Sequence, residues 1–344
     1  MRGDRTFRAA ALRAPGAALA LLLGACAGSE ATGSDEPRVG PELVLPVDCE
    51  IGRTCAIQNY MDRDPGPEAR DYACGGRSYE GHNGLDIRVP DLAAQRQGVF
   101  VLAAAPGRVA RLRDGVADVS VRVAGTAAVE GTECGNGVVI DHGDGWETQY
   151  CHLARGSVIV EAGAEVRAGQ PIGQIGLSGQ TEYPHLHFTV RRQGQVIDPF
   201  APGAGRGRSC EAKAPLWSDA ALQALAYQSG AVLNAGFSSG AVSMESVEEA
   251  AVPQAAANAP ALVAYVRAIA LEGGDVQTLR ITGPDGALIA ETEAEPLDRD
   301  KAQYLLYAGR RTPADGWPAG TYTGVYRVVR DGQTVVERQF TAAF

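Results

Sequence analysis

The sequence predicts an all-β protein made of two successive β domains, and three observations lead there. From about residue 45 to 202 the chain runs in short alternating stretches, such as Val119-Ser-Val-Arg-Val123 and Val138-Val-Ile140. Gly, Pro and Asp break these stretches, and no long helical stripe interrupts them. After Pro260, strand-length runs recur at 261–270, 275–282, 287–293, 301–308, 321–330 and 333–341, with turns at Gly283-Pro-Asp-Gly286 and Asp331-Gly332. That spacing predicts a small immunoglobulin-like β-sandwich over 259–344. Finally, 344 residues at 45% hydrophobic and 21% charged can bury two cores, which excludes wholesale disorder.

The first 25 residues pass from Arg2, Arg5, Arg8 and Arg13 into the apolar run Ala17–Leu23, too short for a lasting membrane span, and read as an export signal. Leu23-Gly24-Ala25-Cys26 resembles the lipobox of bacterial lipoproteins, which implies cleavage before Cys26 and acylation of that residue. Ala27 is not the Asp that favours retention in the inner membrane, so the expected location is the periplasmic face of the outer membrane. Residues 26–44, small, acidic and Pro-containing, read as a flexible tether. The net charge is −10, or about −13 over 26–344, and excludes broad electrostatic binding to nucleic acid.

Beyond Cys26 six cysteines remain: Cys49, Cys55, Cys74, Cys134, Cys151 and Cys210. In an exported chain they predict three disulfides, because an oxidising compartment lets such bonds persist. Arms 136–142 and 146–152 read as a hairpin turning at His142-Gly143-Asp144-Gly145, with opposed positions summing to about 287. Cys134 and Cys151 sum to 285, which predicts their pairing, while the other four cysteines leave three connectivities open. Residues 203–258 read as a linker with one short helix capped by Ser218. The last domain holds no Cys or His and reads as a structural or docking module, with a possible protein partner. Its Trp317 and Tyr322 read as core and turn residues as readily as contacts to a ligand.

All five histidines fall between residues 82 and 187. His82 and Asp86 lie four apart, but Gly84 and Ile87-Arg-Val89 disfavour helix, so the pair belongs to a loop entering a strand. In Pro184-His-Leu-His-Phe188, strand alternation points His185 and His187 to one face and Leu186 and Phe188 to the other. His152 ends the second hairpin arm, whereas His142 sits at its turn and reads as a bystander.

These parts together resemble the lysostaphin-type (LytM-like) zinc metalloendopeptidases of bacterial peptidoglycan. The resemblance covers roughly 80–200 and runs in family order. His82-x-Gly84-x-Asp86 comes first, then Ala104-x-x-Gly-x-Val109, Gly135-Asn-x-Val-x-Ile140 and Tyr150-x-His152-Leu. Val166-Arg-Ala-Gly169, Ile172-Gly173 and Pro184-His-Leu-His-Phe188 follow. It implies a lysostaphin-like antiparallel sheet and one zinc per chain on His82, Asp86 and His187. It also implies His152 and His185 as catalytic imidazoles, with His152 the base and His185 the oxyanion stabiliser or acid, or these roles exchanged. Three N/O ligands leave one tetrahedral position for water, whose pKa zinc lowers to about 7.

The implied substrate is a peptide crosslink of peptidoglycan, of the D-Ala–diamino-acid kind. The alternative is a zinc-binding regulator that recruits or activates a cell-wall amidase, as degenerate members of the family do. Gly179-Gln-Thr-Glu-Tyr-Pro184 replaces the usual small-residue run before His-x-His and places Glu182 and Tyr183 near the groove. Tyr79 and Tyr150 read equally as peptide-positioning and as scaffold residues.

Overall fold

The computed structural model describes residues 40–203 and 214–344. The expected signal, Cys26 and Cys210 lie outside the described residues, as does most of the expected tether. No helix among the described residues is long and apolar enough to cross a membrane.

The first part begins with β1 (Ala56–Asn59), β2 (Leu85–Arg88), a short α1 (Leu92–Gln97), β3 (Phe100–Leu102), β4 (Gly107–Arg113) and α2 (Val121–Ala124). It continues with β5 (Asn136–Gly143), β6 (Trp146–Leu153), β7 (Glu165–Val166), β8 (Pro171–Gln174), β9 (His185–Arg192) and β10 (Gln195–Ile197). The main sheet has the order β1-β2-β9-β6-β5-β4-β7, with β10 also on β9, while β3 and β8 pair separately. Every strand pairing is antiparallel.

Period-two alternation decides the faces. Leu85 and Ile87 of β2, Leu186, Phe188 and Val190 of β9, and Val138 and Ile140 of β5 all point into one core. The opposite face of β2 and β9 is thereby left to Asp86, His185 and His187.

The β5–β6 hairpin turns on Asp144 and Gly145, both at positive φ (50° and 76°), the backbone that matches strand twist in a two-residue turn. Gly143 faces Trp146, and a bulge at His142 then brings Asp141 opposite Glu147 and Val139 opposite Gln149. The register sum is therefore 288 along most of the hairpin, one more than the sequence suggested, because the turn uses two residues and the bulge absorbs a third. Cys134 and Cys151 are disulfide-bonded, as are Cys49 and Cys55, and Cys74 is also in a disulfide.

Two expectations from the pattern need correction. Val119–Val123 alternates, yet Val121–Ala124 is a helical turn, with Val119 and Val123 exposed. Among the described residues no strand pairs with it. Instead Ser120 Oγ accepts from the Arg122 N–H, and the Val121 N–H donates to the Thr181 carbonyl.

The stretch 203–258 is likewise more than a linker with a helix. It contains α3 (Asp219–Ala224), capped by Ser218, then β11 (Ala231–Ser238) and α4 (Met244–Glu248). β11 pairs along its length with β12 (Ala261–Leu271). Its small residues Ala231, Ala235 and Gly236 hide the alternation that marks a strand. Just before α3, Leu216 and Trp217 return to the first core, where Trp217 lies against Phe188 and Phe200 with centroids 5.7 and 5.6 Å away.

The chain then forms β13 (Val276–Thr282), β14 (Leu288–Glu293), β15 (Lys301–Arg311), β16 (Thr321–Arg330) and β17 (Gln333–Ala343). Two antiparallel sheets, β11-β12-β15 and β14-β13-β16-β17, enclose a second core. Leu262, Val266, Leu279, Ile281, Tyr326 and Val328 are among its members. Tyr322 donates its hydroxyl to the Pro318 carbonyl (2.7 Å), a bond of the tyrosine-corner kind, and Trp317 packs edge-on against it. Both residues belong to this core.

The two cores meet through a small apolar cluster of Ala56, Ala231, Leu233 and Ile269. The fully buried Arg88 of β2 and Arg267 of β12 lie beside it. Trp217→Ala should cost about 3–5 kcal/mol by emptying a site in the first core. The urea midpoint should fall accordingly, and a shift of less than 1 kcal/mol would contradict this packing.

Candidate metal centre

β2 and β9 lie side by side with Asp86 opposite His187 and Arg88 opposite His185, so the two sequence motifs become neighbours across one ladder. β6 flanks β9 on its other side and sets Cys151 opposite His187, which brings His152 to the same end of the sheet. His82 arrives on the loop before β2, held by its N–H to the Tyr79 carbonyl.

Ligand atoms from His82, Asp86 and His187 all lie within 4.8 Å of one another. His82 Nε2 is 3.1 Å from Asp86 Oδ2, and His187 Nδ1 is 2.8 Å from Asp86 Oδ1. The outward nitrogens are already engaged: His82 Nδ1 with the Tyr60 carbonyl at 2.6 Å, and His187 Nε2 with Asn83 Oδ1 at 2.9 Å. Because both of those partners accept, they draw the ring protons outward. The lone pairs of His82 Nε2 and His187 Nδ1 are left pointing at the shared space, the tautomers that a metal needs. Asn59 Nδ2 donates to Asp86 Oδ2 at 3.0 Å and fixes the carboxylate. Two imidazole nitrogens and a carboxylate oxygen form a donor set that suits zinc.

Gly84 is a matter of space. A Cβ there would stand 2.8 Å from the His187 ring and 2.6 Å from the Phe188 carbonyl, so no larger residue fits between the two ligand-bearing segments.

His152 and His185 stand beside this trio, their ring centroids 4.7 Å apart, and His152 is 6.0 Å from the His187 ring. His152 Nδ1 faces the Ser178 carbonyl at 2.8 Å, which assigns the proton to Nδ1 and leaves Nε2 as an acceptor. His185 Nδ1 faces the Tyr183 carbonyl (3.0 Å) and Thr181 Oγ1 (3.1 Å), while its Nε2 lies 3.4 Å from Asp86 Oδ1. His152 also adopts φ 63°, a left-handed backbone uncommon outside glycine. Its N–H donates to the Cys134 carbonyl (2.8 Å) and its carbonyl accepts from Gly176 (2.9 Å), so the surroundings hold the strained turn in place.

The charges follow from burial. Desolvation works to raise the Asp86 pKa, but His82 and His185 outweigh it and hold the carboxyl well below its usual range. Desolvation works against the charged form of His82, yet Asp86 and the Tyr60 carbonyl raise its pKa overall. Burial, with His185 and His187 adding to it, pushes the His152 pKa well down, so its ring is neutral.

The cleft above the cluster has a volume of about 340 Å³, with the Cys134–Cys151 disulfide, Gln149, Thr189 and Arg191 along it. Tyr79 is half exposed at its mouth, with its ring 4.5 Å from His82. His142 lies elsewhere, between the Pro106 carbonyl and Thr148 Oγ1. Tyr150 is a core residue whose hydroxyl accepts from the Ala104 N–H. Sequence reasoning missed Asn59, which fixes Asp86, and Asn83, Ser178 and Thr181, which orient the histidines. Asn83 and Thr181 were hinted at only by their places beside the motifs.

Residues 80–199 match the pattern described as peptidase family M23. This segment is an M23 domain. It is similar to the DD-carboxypeptidase/endopeptidase Mpg of Neisseria meningitidis, 36% identical over 120 residues that are 35% of this chain and 22% of that protein. It is also similar to the murein hydrolase activator EnvC of Escherichia coli, 45% identical over 69 residues, 20% of this chain and 16% of the relative. A third relative is the peptidoglycan DD-endopeptidase ShyA of Vibrio cholerae, 39% identical over 64 residues, 19% of this chain and 14% of that one. The chain thus spans under a quarter of the length of each of these relatives.

Among solved structures, the catalytic domain of the prophage-encoded M23 protein EnpA from Enterococcus faecalis is 22% identical, with TM-score 0.32 over 45% of this chain and 95% of that one. The catalytic domain of lysostaphin from Staphylococcus simulans is 23% identical, with TM-score 0.26 over 41% and 85%.

Gly84→Ala should displace the His187 ring and weaken zinc binding to the M23 domain by about 10–100-fold. A chelator competition titration reads this directly, and unchanged affinity would show that the close approach does not matter.

Proposed function

We propose that this protein is a zinc-dependent endopeptidase that hydrolyses amide bonds in peptidoglycan peptide crosslinks. What carries the proposal is that two further histidines, neither needed as a ligand, converge on the His82, Asp86 and His187 trio, and that His82, His152 and His187 line an open cleft. A regulator needs only the fold, whereas hydrolysis needs a base and an oxyanion donor placed beside the metal.

His82 through Nε2, Asp86 through its carboxylate and His187 through Nδ1 are the residues that would hold one zinc ion. The ion would supply Lewis acidity and lower the pKa of a water to near neutral. His152, neutral and with Nε2 free, accepts the proton of the water that attacks the peptide carbonyl. His185, anchored through Nδ1 and with its Nε2 beside Asp86 Oδ1, is the group that donates to the carbonyl oxygen as charge develops there. The names of Mpg and ShyA support the substrate class. The lipobox at Cys26 supports an anchor on the outer membrane's periplasmic face, which would keep the enzyme against the wall.

The name of EnvC keeps a second reading in view, an activator of a separate cell-wall hydrolase. The two readings part at His152. Incubated with isolated sacculi, the zinc-loaded protein should release new peptide termini detectable by mass spectrometry. His152→Ala should slow that release by about 10²–10⁴-fold while still binding zinc. Chelation should abolish release and added zinc restore it. A folded, zinc-loaded protein that releases nothing would overturn the hydrolase reading and leave the activator.

A further inference from the structure

Arg88 lies two residues beyond Asp86 on β2, opposite His185, and its side chain is completely buried. The guanidinium covers the Tyr183 ring, with its carbon 3.9 Å from the ring centroid. Tyr183 is in turn the residue whose carbonyl receives His185 Nδ1, and its ring lies 5.3 Å from the His185 ring. The Val89 N–H donates to the Pro184 carbonyl, so the segment between Tyr183 and His185 rests on β2 at both its backbone and its ring.

The anion that holds Arg88 comes from the second part of the chain. Arg88 Nη2 donates to Glu248 Oε2 on α4 at 2.8 Å, and Arg88 Nη1 reaches Gln303 Oε1 of β15 at 3.2 Å. The same Glu248 oxygen accepts from Arg267 of β12, itself fully buried, which also donates to the Pro90 carbonyl and to Asn234. One carboxylate therefore serves two guanidinium groups that have no access to water. Removing one member of such a buried cluster leaves charge without a counterion and forces rearrangement.

We propose that Glu248 is a positioning residue for His185: from the C-terminal part it fixes the Arg88 guanidinium under Tyr183, and so holds the 179–185 segment that sets the His185 ring. The C-terminal sandwich then braces the site from behind through Arg88, in addition to any docking role. The catalytic consequence rests on the hydrolase reading, whereas the structural consequence does not.

The test uses the full chain. In Glu248→Gln, amide hydrogen exchange over 179–185 should quicken by about tenfold or more, with β5 and β6 unchanged. Zinc affinity should stay within about threefold, since no ligand or its direct partner is altered. Crosslink cleavage should lose about tenfold or more in kcat, with KM changed less, because a displaced histidine affects the reaction more than substrate binding.

In a Tyr183→Leu background the same change at Glu248 should add nothing to the kcat loss, since the link is already cut. Glu248→Asp should recover part of the loss. Arg88→Lys keeps the positive charge but not the planar face beneath Tyr183, and should loosen 179–185 even if Glu248→Gln does not fold. Unchanged exchange over 179–185 in the folded Glu248 and Arg88 variants, or full additivity with Tyr183→Leu, overturns the proposal. If the zinc-loaded wild type cleaves nothing, the hydrolase reading falls, and the exchange measurement alone decides the role of Glu248.

Discussion

Asp86 is a carboxylate with almost no access to water, and a charge so placed must be met by groups brought to it. His82 meets one oxygen, His187 and His185 face the other, and Asn59 donates to the first. The antiparallel pairing of β2 with β9 sets His185 and His187 at fixed heights beside Asp86 on one face, and the apolar alternates Leu85, Ile87, Leu186 and Phe188 anchor both strands from the other. The site is thus the polar side of the same ladder whose apolar side is the core. A change of register by one residue would exchange the two.

The second histidine pair depends on a different device. His152 is the last residue but one of β6, and the chain leaves the strand there with a left-handed backbone. Such a conformation costs about 1–2 kcal/mol for a non-glycine residue. Hydrogen bonds to Cys134, Gly176 and Ser178, together with the disulfide from Cys151 back to Cys134, offset that cost. The imidazole lies beside His185, with ring centroids 4.7 Å apart. The groups facing Nδ1 of both rings are acceptors, so each ring is held through Nδ1 and its Nε2 is left for other partners.

Much of this was legible in the residues, for reasons that can be named. His-x-His in a β context places two rings on one face whatever surrounds it, because strand periodicity is two. A turn within His142–Gly145 was visible because few sequences tolerate successive positive φ values, and the register followed from it to within a residue, the observed turn lying one position later on Asp144 and Gly145. Six of the seven strands of the second part stood out through their turns. The seventh, Ala231–Ser238, did not, since its small residues carry little amphipathic signal and its pairing with β12 supplies the order. Val119–Val123 misled in the opposite direction: it alternates, but among the described residues no strand pairs with it.

The sequence by itself determined which side chains are present and which of them share a strand face, because those properties are local and follow from backbone geometry. It also carried the ordered motifs by which the M23 domain resembles its relatives. Only the tertiary structure decided that Gly84 must be small to admit the His187 ring, that Ser178 and Thr181 orient His152 and His185, and that Glu248 reaches a guanidinium 160 positions earlier in the chain. Burying Arg88 and Arg267 requires a counterion wherever the fold can deliver one. No periodicity or spacing along the chain records where that will be.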